Sequence, residues 1–194
     1  MPAPDPKIVL DFWQNEVGPE GWYSGGEKLD AVIRERFLDL WERGRCGGLE
    51  QWQTSPEGML AYIILLDQFP RNMFRDDARA YATDQLARQV AEKAIHHRWD
   101  MRLPEPVRQF FYLPLMHSEN RTDQDRCVRL ILTRLPETGA DNLLHARAHR
   151  AVIRQFGRFP HRNAVLRRRS TRDEQAYLAQ GGYAATVKEL REAA

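Results

Sequence analysis

Cysteine is almost missing from this 194-residue chain. Cys46 and Cys127 stand far apart and in no metal-ligand or redox spacing, which excludes a disulfide framework and a zinc finger. Long apolar runs are missing too. The longest, Met59 to Leu66, falls well short of the roughly 20 residues that cross a bilayer. The N-terminus lacks the basic-then-apolar layout of a secretory leader. We therefore expect no membrane partner and a cytoplasmic location. No stretch alternates apolar and polar residues with the period of a strand, which argues against a sheet. Phosphate loops, dinucleotide fingerprints and nucleophile elbows are absent, so no cofactor is expected.

Apolar residues recurring at helical spacing are what the sequence does contain. With 42% hydrophobic residues the chain can bury a core, as a single domain of residues 1–194 or as two related halves meeting near residues 98–105. Asp5-Pro6 opens a first helix through Phe12 and Trp13, and a second carries Ile33, Phe37 and Trp41 up to Gly47-Gly48. Ser55-Pro56 opens a third that is apolar nearly all round, so it belongs at the centre. Further helices are expected over Asp76–Ala82, from a Thr83 or Asp84 cap to Ile95, from Val107 to Pro114, and from Thr122 or Asp123 to Pro136. Others are expected over Leu143–Phe156, after a capping box of Ser170-Thr171 with Asp173-Glu174, and over Tyr183–Glu192. The architecture is all-α, with antiparallel helical hairpins stacked on one another. Trp22, Tyr23 and Trp52, if exposed, mark a contact surface.

Two stretches echo each other: Asp67-Gln68-Phe69-Pro70-Arg71-Asn72 and Phe156-Gly157-Arg158-Phe159-Pro160-His161-Arg162-Asn163. Each brings a helix to a Phe-Pro pair, where proline lacks an N–H and restricts its predecessor, so each is read as a helix stop followed by a bend bearing Arg and Asn. The plainest role for such residues is to bond carbonyls freed at a helix end. The functional reading has the guanidinium groups of both turns hold an anion. In the helix leading to the second turn, His145, His149, Val152 and Phe156 share one face, while Arg147, Arg150, Arg154 and Arg158 form a wet stripe on another.

Charge is unevenly spread. Residues 1–97 carry a net −5 and residues 98–194 a net +7, and eight Arg with no carboxylate lie between Asn142 and Thr171. Of the 29 basic side chains only four are Lys.

These motifs resemble the bacterial domain-of-unknown-function 924 family. The likeness rests on Phe12-Trp13, Leu66 to Asn72, Tyr112-Leu113-Pro114-Leu115-Met116-His117-Ser118-Glu119, and Phe156 to Asn163 with Leu166 and Ser170-Thr171. It covers nearly the whole chain and implies an α-α superhelix like that of tetratricopeptide-repeat proteins, with no established activity. Arg167 stands where the family pattern has a Gly soon after Leu166.

Three functions follow. The first is a binding module that takes a small anionic molecule or a peptide end. Its ligand-binding residues are Asp67, Gln68, Arg71, Asn72, His117, Glu119, His149, Arg158, His161, Arg162 and Asn163. The second is an acid-base or metal-assisted hydrolase using His117, Glu119, His149 and His161, although their spacing is not that of a helical zinc motif. The third is nucleic-acid binding through the Arg147 to Arg172 region, disfavoured by the nearly balanced total charge of +2.

Overall fold

The computed structural model describes residues 4–193, and every regular element among them is helical. The chain forms two compact units that divide between Pro114 and Leu115, inside the short helix α7 (Leu113–Met116). Residues 98–105 lie within the first unit. The Tyr112 hydroxyl donates to the buried Asp100 carboxylate at 2.7 Å, which ties that segment to the turn Val107–Phe111.

The first unit contains α1 (Lys7–Asp11), α2 (Gly18–Gly21), α3 (Glu27–Arg45), α4 (Pro56–Ile63), α5 (Phe69–Met73) and α6 (Asp84–His96). Ser55 caps α4 by accepting the Gly58 N–H at 3.0 Å, and Pro56 occupies the first turn where its missing N–H costs nothing. Every residue from Met59 to Pro70 is buried, as a helix with no polar face requires. Each large side chain contributes up to roughly 1.5–3 kcal/mol by that burial. Phe69 sits among Phe12, Trp13 and Phe37 at ring-centroid distances of 5.9, 5.4 and 4.7 Å. Trp22 and Trp52 are buried and offer no contact surface, whereas Tyr23 is 62% exposed.

Phe69-Pro70 does not stop its helix. The backbone widens into a π-helical stretch, Ile64–Gln68, and continues directly as α5, with the Phe69 N–H donating to the Ile64 carbonyl five residues back. The wider turn makes room for the proline, so Arg71 and Asn72 ride on a helix rather than on a bend. The Leu66 carbonyl, which an N–H at position 70 would have served, accepts instead from the Thr83 hydroxyl at 2.6 Å. Thr83 in turn accepts from the Trp41 indole N–H at 3.1 Å. Thr83 thus makes no capping bond to α6, contrary to the sequence reading, because its hydroxyl is already used. A second π-helical stretch, Phe12–Val17, ends differently: Gly18 leaves the helical conformation at φ 68° before Pro19 enters the short α2.

The second unit contains α8 (Arg121–Arg134), α9 (Ala140–Phe156), α10 (Arg172–Ala179) and α11 (Gly182–Glu192). α8 and α9 form an antiparallel hairpin, for Asp125 near the start of one pairs with Arg154 at 2.7 Å near the end of the other. α11 runs antiparallel to α9, with Tyr183 against His145 and His149 and Arg191 near Asp141. Val152, Ile153 and Phe159 form one buried cluster of this unit, with Phe156, Tyr177 and Tyr183 packed around them.

Candidate functional site

The residues expected around the first Phe-Pro pair form a closed polar network. Asp67 is fully buried and accepts from Gln68 at 2.5 Å and Arg71 at 3.2 Å. Arg71 also donates to Asp84 at 2.9 Å. Burial works against its charge, but Asp84 and then Asp67 more than offset this and raise its pKa. Asn72 donates to Asp30 at 2.9 Å, and Arg75 grips the same carboxylate at 2.9 and 3.1 Å. Asp67, Gln68, Arg71 and Asn72 are thus engaged with one another or with Asp30 and Asp84, and two buried carboxylates receive the counter-ions they need.

The helix before the second Phe-Pro pair stops where the sequence suggested. α9 ends at Phe156, Gly157 takes the left-handed conformation at φ 72°, and Pro160 opens a short 3-10 turn, Pro160–Arg162. Glu119 clamps the bend: it accepts the Phe159 N–H at 2.8 Å and both outer nitrogens of Arg168 at 2.6 and 2.9 Å. Partial burial opposes that charge, yet Arg168 and the Phe159 N–H hold the carboxyl below its usual range. Asn163 accepts from Arg168 at 3.0 Å and donates to Ser170 and Glu174 at 3.1 and 3.2 Å. Arg158 closes the ring on Glu174 with bonds of 2.6 and 2.8 Å. Held first by Arg158, against burial, and then by the Thr171 N–H, Glu174 is drawn down to about 2. Glu119, Arg158 and Asn163 therefore brace the segment from Gly157 to Glu174. Glu119 is thus held as a carboxylate by the partners that surround it.

A second cluster gathers around the Phe159 ring. The His149 ring stands 4.7 Å from Tyr183, 6.2 Å from His117 and edge-on to Phe159 at 5.3 Å. Arg162, only 6% exposed, lays its guanidinium 4.5 Å over the same Phe159 ring, and the exposed His161 ring lies 5.7 Å from it. The loop carrying His117 is pinned by the fully buried Gln124, whose amide nitrogen reaches the carbonyls of Met116 and Ser118 at 2.6 and 2.7 Å. Ser118 adds a bond to Asp123 at 2.6 Å. Burial, then His117, and further the nearby Arg162 and His145, press the His149 pKa down to about 3, so the ring is neutral at physiological pH.

His117, His149 and Arg162 thus come together, with His161 beside them. Tyr183, Gln124, Arg168 and Glu174 are the participants that sequence reasoning missed. Glu174 had left a trace as the third member of a capping box, which forms as expected. Tyr183 had left one as the first apolar residue of an amphipathic terminal helix that needed a surface to cover.

Among the described residues no group of three or more His, Cys, Asp or Glu side chains is placed to hold a metal ion. No described helix is long and apolar enough to cross a membrane. The Arg stripe of α9 is partly neutralised, since Arg150 and Arg154 share Asp125.

The fold and its bracing networks define an all-helical protein with two polar turns. The chain belongs to the family of bacterial proteins of unknown function DUF924, whose model matches residues 9–182. It is similar to the solved structure of a protein of unknown function, ATU0120, from Agrobacterium tumefaciens, at 39% identity and a TM-score of 0.85, covering 90% of this chain and 97% of that one. No curated protein matches significantly.

Proposed function

We propose that the protein is a binding module for a small anion, a phosphate or a carboxylate such as a peptide end, taken up at the second Phe-Pro turn by Arg162, His117 and His149. One observation supports this above the others. The charged neighbours that depress His149 are His117, Arg162 and His145, and the Glu119 carboxylate, which also feels Arg162, is shared with Arg168 and the Phe159 N–H. A cluster of bases in partly desolvated surroundings is relieved by an anion, which lets the histidines accept protons. Arg71, Arg158 and Asn163 keep the supporting role that their carboxylate and amide bonds describe.

Thermal denaturation in low-salt buffer, with and without millimolar phosphate, acetate or a short peptide, tests the reading. Saturation at ~100 times the dissociation constant adds about 2.7 kcal/mol of stability through linkage. Arg162→Lys should reduce that gain and Arg71→Lys should leave it. Absence of stabilisation by every anion, or equal loss in both variants, overturns the proposal.

A further inference from the structure

The nearly balanced total charge of the chain hides a division. Residues 115–194 carry 15 Arg and Lys against nine Asp and Glu, a net +6 within the second unit. Arg150 and Arg154 on α9 share one counter-ion, Asp125 of α8, at 3.5 and 2.7 Å. Arg121 donates to the Arg154 carbonyl at 3.1 Å, so the first turn of α8 lies against the last turn of α9. In that antiparallel register Arg129, one turn beyond Asp125, comes abreast of Arg147, one turn before Arg150, on the same side of the hairpin. Both are exposed, and their guanidinium groups meet no partner among the described residues.

The cationic track continues past the end of α9. Arg158 donates to the Arg169 carbonyl at 2.9 Å and to Glu174 at 2.8 Å, which brings the segment 169–172 beside the helix end. Two open depressions lie there, with Thr171 in the wall of both. One, of about 480 Å³, is lined by Gln155, Phe156, Arg158, Thr171, Asp173 and Glu174. The other, of about 450 Å³, is lined by Arg169, Ser170, Thr171, Arg172 and Gln175. Arg169 and Arg172 are exposed and, like Arg129 and Arg147, meet no partner among the described residues. Open guanidinium groups thus flank hollows that offer hydroxyls, amides, an aromatic ring and a carboxylate.

Arginines left without carboxylates repel one another, and a run of phosphodiesters relieves that repulsion while releasing its own counter-ions. The carboxylates decide which polyanion fits. Glu174 is spent on Arg158 and Asn163, but Asp173 is exposed at the same rim. Asp173 repels an acidic polypeptide, whereas the N–H of a base or the hydroxyl of a ribose can donate to it. A lipid surface is poorly served: among the described residues of this unit only Leu132 and Leu178 are large, apolar and exposed, short of the apolar face that insertion needs. Bases expose their edges and faces to such hollows only when unpaired. We infer that this side of the second unit binds single-stranded nucleic acid, with Arg129, Arg147, Arg169 and Arg172 on its phosphates and the hollows beside Thr171 taking bases. The surface uses none of Arg162, His117 and His149, so it stands or falls without the anion site proposed above.

Fluorescence anisotropy of a labelled oligo(U) of about 12 nucleotides, titrated with the full chain at several NaCl concentrations, is the test. With about four phosphates neutralised, affinity should fall on the order of 50-fold between roughly 50 and 200 mM salt, a logarithmic slope near −2.8. Arg129→Gln, Arg147→Gln, Arg169→Gln and Arg172→Gln together should weaken low-salt binding at least about tenfold and flatten that slope. These guanidinium groups hold nothing else, so the thermal transition by circular dichroism should stay in place. The same loss of charge on exposed side chains of the first unit, Lys28→Gln, Arg45→Gln, Arg98→Gln and Arg102→Gln, should keep affinity within about threefold of the wild type. Oligo(dT) run beside oligo(U) separates the two sources of the chemistry: a preference for oligo(U) assigns the ribose hydroxyl to Asp173, and equal affinity assigns the base N–H. Tighter binding of oligoglutamate, of phosphatidylserine vesicles or of a duplex of the same length overturns the inference. So does equal loss in the two quadruple variants, or no anisotropy change at the lowest salt.

Discussion

Thr83→Val tests how the first unit tolerates a proline inside its central helix. The replacement keeps the shape of the side chain and removes only the hydroxyl that serves the Leu66 carbonyl and the Trp41 indole N–H. Both groups are buried, with Leu66 and Trp41 no more than 1% exposed, so neither finds water in exchange. Each orphaned group costs about 1–3 kcal/mol, and the added methyl returns part of that, leaving a net loss of roughly 2–4 kcal/mol. All five Trp residues lie before position 100, within the first unit, so tryptophan fluorescence in a urea titration reads that unit alone. The midpoint should fall with the slope unchanged, and Thr83→Ser should remain within about 1 kcal/mol of the wild type. A Thr83→Val protein as stable as the wild type would mean that the Leu66 carbonyl is satisfied without Thr83, and the account of the π-helical stretch would be mistaken.

Acid should loosen the second unit through Glu174. Its folded pKa lies below the unfolded value, so its contribution is present in full above ordinary carboxylate pKa values and is lost as pH falls toward about 2. Circular dichroism should show a shallower acid transition in Glu174→Gln than in the wild type. Glycine substitutions should separate backbone strain from crowding. Gly157→Ala meets no atom within 4 Å but must hold φ at +72°, which costs about 1–2 kcal/mol in thermal denaturation. Gly58→Ala would press its new methyl to 2.1 Å from the Trp52 carbonyl and should express poorly or unfold the first unit. Replacing Gln124 with Leu should free the His117 loop, seen as faster amide exchange from Met116 to Asn120, with α8 itself still protected.

The all-helical class was legible because apolar residues repeat along the chain with a period near 3.6, and because Ser55 and Thr171 mark helix starts by their chemistry. The fate of Pro70 was not legible. Whether a proline ends a helix or is absorbed depends on a hydroxyl from 13 residues further along, at Thr83, and no local signal announces that partnership. The site was half visible for the same reason. His149, Arg162 and Asn163 stood out by residue type, but type does not separate a guanidinium that holds a ligand from one that braces a bend. Glu119 and Arg168 lie 49 residues apart in the chain and meet only once α8 and α9 have folded back on each other. Sequence placed charge near the turn, and tertiary pairing decided which charges were already used.

Nitrogen-15 NMR of histidine-labelled protein, titrated with phosphate at pH 7, examines the charge of the His149 ring itself. The account predicts a resonance in the unprotonated range before addition, moving toward the protonated range as phosphate binds, with His96 and His97 in the first unit unaffected. A His149 ring that is charged from the outset, or one that ignores phosphate to saturation, would contradict it.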